Sequence, residues 1–115
     1  MDVEVFVGDL DDPNFNYVKG NWNGNCPKRI SVFFPSAYKL FFEIINKIDG
    51  GQLEGKQTDW GSWTAPLYPE EIIEVMKEYY GDEKYSLEQS IREIVNFLKD
   101  LPQDKKYGLV ACEMP

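Results

Sequence analysis

Apolar and polar residues alternate at the start of the chain. Over Asp2–Asp9, Val3, Val5 and Val7 fall on one side and Glu4 and Phe6 on the other. A period of two predicts a strand with one buried face. Asp9-Leu10-Asp11-Asp12-Pro13 breaks that pattern, and Asn14–Pro27, rich in Asn and Gly, reads as a loop or hairpin turn. Arg29–Phe34, carrying Ile30, Val32, Phe33 and Phe34, predicts a second strand.

The period then changes to that of a helix. Ala37, Leu40, Phe41, Ile44, Ile45 and Ile48 recur at spacings of three and four and form one stripe, with Ser36 as the expected N-cap and Asp49-Gly50-Gly51 as the stop. Gln52–Asp59 is polar and reads as a loop. Trp60–Leu67 alternates Trp60, Ser62 and Thr64 against Gly61, Trp63 and Ala65, which suits a strand. Pro69 is tolerated in a first helical turn, and Glu70 and Glu71 favour the positive end of the helix dipole. This helix is expected to run to about Tyr80 and end at Gly81, burying Ile72, Ile73, Met76 and Tyr80. A third helix is expected from Ser86, where Ser86 and Gln89 match a capping box. Leu87, Ile91, Ile94, Val95 and Leu98 follow as the clearest stripe in the chain, and Leu101-Pro102 ends it. Lys106–Glu113 reads as a final, largely buried strand.

The order β-β-α-β-α-α-β predicts an α+β fold. It is a single domain over residues 1–115, with a mixed, mostly antiparallel sheet of about four strands covered by three helices. No repeat, low-complexity segment or linker interrupts it.

Charge changes this picture most. Twenty Asp and Glu stand against twelve Lys and Arg, with no histidine and a net charge of -8. Such a chain repels nucleic acid and anionic lipid and attracts basic proteins. With 43% hydrophobic and 15% aromatic residues, the charge does not read as disorder. No run approaches the ~18 apolar residues of a membrane span. Met1–Val7 starts acidic and lacks the long apolar stretch of a secretory signal, so a cytoplasmic location is expected, a mature form whose signal is gone being the alternative.

The candidate chemistry is thin. Without histidine the commonest general base and metal ligand is missing. Cys26 and Cys112 form no CxxC pair and no zinc set of the usual kind. They are expected as reduced thiols, Cys112 buried in the last strand; a disulfide tying the first loop to that strand is the alternative. Asp9, Asp11 and Asp12 depart from the EF-hand spacing and read as a solvated turn. No phosphate-binding glycine motif is present. No catalytic residue, metal or cofactor is expected, and the chain reads as a binding protein and not an enzyme.

The candidate contact residues are acidic and aromatic. Glu70, Glu74 and Glu78, four apart on the second helix, line one face despite the small cost of like charges at that spacing. Asp82 and Glu83 extend the acidic run, Tyr79 offers an anchor, and Asp11 and Asp12 add carboxylates near the N-terminus. Trp22, in Asn21-Trp22-Asn23-Gly24, suits interface or ligand contact, whereas Trp63 suits the core.

Ile91–Lys106, a helix ending in Leu101-Pro102-Gln103-Asp104-Lys105-Lys106 and leading into a hydrophobic strand, resembles the C-terminal half of some bacterial toxin-immunity proteins. The Trp60-Gly61 element before the second helix also resembles that layout. The resemblance covers about half of the chain. It implies an inhibitor that covers the active site of one basic toxin or nuclease domain and carries no catalytic residues. Two other readings fit the same features: a phage-type inhibitor of a nucleic-acid-binding defence complex, and a small carbohydrate-binding domain using Trp22 and nearby acids.

Overall fold

The computed structural model describes residues 2–15, 17, 26–31, 37–59 and 61–114. Strand β1 (Asp2–Asp9) is flanked by β2 (Lys28–Arg29) and β5 (Tyr107–Met114); β5 pairs with β4 (Ser62–Leu67), and β4 with β3 (Lys56–Asp59). The sheet order is β2-β1-β5-β4-β3, and every described pairing is antiparallel. Helices α1 (Ala37–Asp49), α2 (Pro69–Leu87) and α3 (Gln89–Asp100) complete an α+β domain.

The fifth strand is β3, in the segment that reads as a loop. Lys56, Gln57, Thr58 and Asp59 are all polar, so no apolar alternation marks them. The strand exists because β4 supplies its hydrogen-bond partners, with Lys56 opposite Thr64 and Gln57 opposite Trp63. Gly61, at φ 80, makes the left-handed turn between the two strands. Regular pairing of the second strand covers Lys28–Arg29 alone among the described residues. Val32, Phe33, Phe34, the Ser36 cap and Trp60 lie outside the described residues.

One face of the sheet carries the helices. Val5 and Val7 of β1, Leu109 and Ala111 of β5, and Ala65 and Leu67 of β4 form the floor of the core. Leu40, Phe41 and Ile44 of α1, Ile72, Ile73 and Met76 of α2, and Ile91, Ile94, Val95 and Leu98 of α3 close it from above. These are the helical stripes read from the sequence. Trp63 is partly buried against the core, edge-on to Phe41 with ring centroids 6.1 Å apart.

The start of α3 differs from expectation. Its N-cap is Glu88, not Ser86, and no side chain caps it. Ser86 and Leu87 belong to the end of α2, so the stripe of α3 begins at Ile91. Two helical stretches abut across Glu88, whose extended backbone (φ -77, ψ 121) places the boundary two residues after Ser86.

The opposite face of the sheet is also buried, although the alternation in β1 suggested one buried face. Glu4 and Phe6 are each 3% exposed, and Thr58, Thr64 and Val110 are fully buried. The covering comes from the chain on either side of the Asn/Gly-rich segment. Leu10, Phe15 and Tyr17 lead away from β1, and Cys26 and Pro27 lead into β2. Gly8 and Gly108, opposite each other in β1 and β5, leave the shallow place where this covering settles. A Cβ on Gly8 would lie 2.9 Å from Pro27 Cγ, and one on Gly108 would lie 3.2 Å from Leu10 Cδ2. Tyr17 reaches β3, where Lys56 Nζ sits 5.0 Å from its ring centroid.

Candidate functional site

Helix α2 carries the principal charged surface. Pro69 opens it, and the Tyr68 N–H donates to Glu71 Oε1 at 2.9 Å, one arm of a capping box. Glu71 is therefore committed to the helix start. With Ile72, Ile73, Val75 and Met76 turned to the core, Glu70, Glu74 and Glu78 come to lie exposed along the other side. Among the described residues, no ion pair reaches Glu70 or Glu74. Glu78 accepts a hydrogen bond from Lys47 Nζ of α1 at 3.0 Å, and Glu43 stands 3.9 Å from the same amine. Glu78 thus ties α2 to α1 and offers less free charge than the other two.

Gly81, at φ 77 and ψ 166, kinks α2. Asp82 and Glu83 follow this break, so they do not continue the straight row of Glu70, Glu74 and Glu78. Their side chains, like all of Trp22, lie outside the described residues. Tyr79 is half-buried, packed edge-on to Tyr80 with centroids 5.0 Å apart. Burial and the nearby Glu43 carboxylate raise its phenol above the usual range. Much of its ring is spent on the fold, which limits what it offers as an anchor.

Asp11 and Asp12 sit in a tight turn after β1. Asp9 Oδ1 accepts the Asp11 N–H at 2.9 Å, and Asp12 Oδ1 accepts the Asn14 N–H at 3.0 Å. Lys105 pairs with Asp11 at 2.7 Å and with Asp9 at 3.8 Å. The hydrogen bond to Asp11 holds the Lys105 amine above its usual range. The carboxylates of this turn are therefore partly neutralised from within. By strand register the end of β1, the start of β5 and the end of β4 share one end of the sheet, where α2 also begins. Asp11, Asp12 and Glu70 belong to that end, but so do Lys105 and Lys106, the latter 5.3 Å from the Tyr68 ring centroid.

One surface feature escaped the sequence reading. Tyr38 and Phe42 of α1 are 55% and 40% exposed and pack edge-on to each other, centroids 5.2 Å apart. They fall outside the apolar stripe of α1, and an aromatic residue outside the stripe is the signal that marks them.

Among the described residues, no three His, Cys, Asp or Glu side chains converge as a metal site, and no helix is long and apolar enough to cross a membrane. No protein-family model, curated protein or solved structure matches the chain.

Proposed function

We propose that this protein is a non-enzymatic binding domain that docks on one basic protein partner through the exposed face of α2. The observation that carries this reading is the row formed by Glu70 and Glu74, exposed and without an ion pair among the described residues, on a helix whose other side is anchored in the core. Rigid, unneutralised carboxylates speed encounter with a positive surface and suppress wrong partners. An inhibitor of the toxin-immunity kind uses such a face to occupy the phosphate positions of a basic nuclease, and the net charge of -8 supports that form of the reading.

The test is capture of a partner from a lysate of the source organism, followed by association kinetics. Glu70→Lys/Glu74→Lys should slow association several-fold and leave dissociation little changed, because rim charges act mainly on encounter. Raising salt to ~0.5 M should slow the wild type in the same way, as the Debye length shrinks to a few ångström. Association that ignores both changes would show the face to be solvated surface.

A further inference from the structure

We propose that Tyr38 and Phe42 of α1 are the aromatic anchor of the docking surface, and that their rings receive a lysine or arginine side chain of the basic partner. This inference rests on the reading of α2 as the face that meets that partner. Phe42 packs edge-on to Phe41 with centroids 5.1 Å apart, and Phe41 is buried in the core, edge-on to Trp63. Tyr38 leans on Phe42 from the other side, at 5.2 Å. A row of rings thus runs from the core to the surface and holds its two outermost members in place. Side chains fixed before contact lose little rotamer freedom on binding, which suits them to anchor an interface.

The other aromatic rings show which occupant the pair is built for. Arg29 stands 5.3 Å from the Phe6 centroid, Lys56 5.0 Å from Tyr17, Lys105 5.2 Å from Tyr107 and Lys106 5.3 Å from Tyr68. The large hydrophobic side chains exposed among the described residues are Tyr38, Phe42 and Tyr68. Tyr68 already carries Lys106, whereas no cation of the described residues sits over Tyr38 or Phe42. The electron-rich faces of this pair are open to a cation from outside the chain. The surrounding charge points the same way. Glu43, next to Phe42 in the chain, stands 3.9 Å from Lys47 Nζ, and that amine donates to Glu78 of the acidic row at 3.0 Å. The rings are therefore continuous with the carboxylates of α2. Lys39, exposed on the same helix, opposes an incoming cation, but Glu70 and Glu74 outnumber it. The carboxylates draw a basic surface in, and the rings hold it once it has arrived.

The test is binding kinetics of the whole chain against the purified basic protein that it captures from lysate. Tyr38→Ala/Phe42→Ala should speed dissociation about ten- to hundredfold and change association less than about twofold, the reverse of the effect of Glu70→Lys/Glu74→Lys. Tyr38→Leu/Phe42→Leu keeps the apolar area and removes the rings, so it should lose most of the same residence time while keeping the wild-type urea midpoint. Dissociation unchanged by both pairs, with association still slowed by Glu70→Lys/Glu74→Lys, would overturn the anchor and leave the acidic docking face standing. A leucine pair that behaves as wild type would overturn the cation contact. Association indifferent to salt and to Glu70→Lys/Glu74→Lys would overturn the docking face and the anchor with it. A wild-type dimer in sedimentation that Tyr38→Ala/Phe42→Ala dissolves would assign the rings to a second copy of the chain and overturn the proposal.

Discussion

At the scale of single residues, the outer face of the sheet depends on two glycines and one buried carboxylate. A methyl group on Gly8 would meet the rigid Pro27 ring at 2.9 Å and Pro27 Cβ at 3.0 Å, so the covering segment has to lift. Gly8→Ala should destabilise the protein by about 1–3 kcal/mol, the range for overpacking, measured by urea denaturation. Glu4, 3% exposed, accepts a hydrogen bond from the Arg29 guanidinium, which also lies 5.3 Å from the Phe6 ring centroid. Arg29→Ala leaves that carboxylate buried without its cation. A loss of about 1.5–3 kcal/mol is expected, the range for a hydrogen bond to a charged group. Adding Glu4→Gln should recover much of it, because the two residues form one interaction; simple additivity in the double-mutant cycle would refute the coupling.

At the scale of elements, the helices divide between anchoring and display. Ile94 of α3 is fully buried between the sheet and its helical neighbours. Ile94→Ala should cost about 2–5 kcal/mol, as expected for an emptied aliphatic site, and a shift below half a kcal/mol in chemical denaturation would deny it a core role. Helix α2 displays its acids, and there the expectation is opposite. Glu74 stands four residues from both Glu70 and Glu78, so Glu74→Lys relieves two like-charge contacts. Stability should stay unchanged or rise by a few tenths of a kcal/mol in the same assay. A clear loss would mean that Glu74 has a structural partner.

At the scale of the whole molecule, the titration of the fold is unusual. With no histidine, few groups change charge between about pH 6 and 8, and stability should be flat there. The alkaline side differs. Burial raises the phenols of Tyr17, Tyr79 and Tyr80, aided in turn by Glu54, Glu43 and the neighbouring Tyr79 with Glu88. Their folded values exceed their unfolded ones, so their stabilisation is fully present below about pH 10 and is lost as pH climbs toward the folded values. Lys105, raised chiefly by its hydrogen bond to Asp11, acts in the same direction. Lys56 is lowered by burial and opposes it, gaining stability as pH rises to its unfolded value. The Cys26 thiol, raised by its hydrogen bond with Cys112 and by burial, acts in the same direction as the phenols and begins to do so near pH 9. Three phenols, one thiol and one amine outweigh one amine. Urea midpoints should therefore hold level near neutrality and fall from about pH 9 upward, with phenolate absorbance appearing later in the folded protein than in the unfolded one. Coincident phenolate curves would contradict the burial of these rings.

The three helices, the strands β1, β4 and β5, and the acidic row on α2 are legible without any tertiary contact. Each of these is encoded by local spacing: a stripe at three and four buries one side of a helix wherever the helix lands. Ile91, Ile94, Val95 and Leu98 needed no partner to be recognised, and Glu70 and Glu74 were legible as the complement of the stripe in α2. Tertiary structure decided the rest. Strand β3 is polar and is a strand because β4 pairs with it, a fact no pattern within Lys56–Asp59 carries. The burial of Glu4 and Phe6 comes from a covering that settles on Gly8 and Gly108, residues remote in sequence and adjacent only through the β1–β5 register. The same distance effect neutralises Asp11 with Lys105 and engages Glu78 with Lys47. Periodicity records which side of an element is apolar; long-range contacts choose which charges stay free.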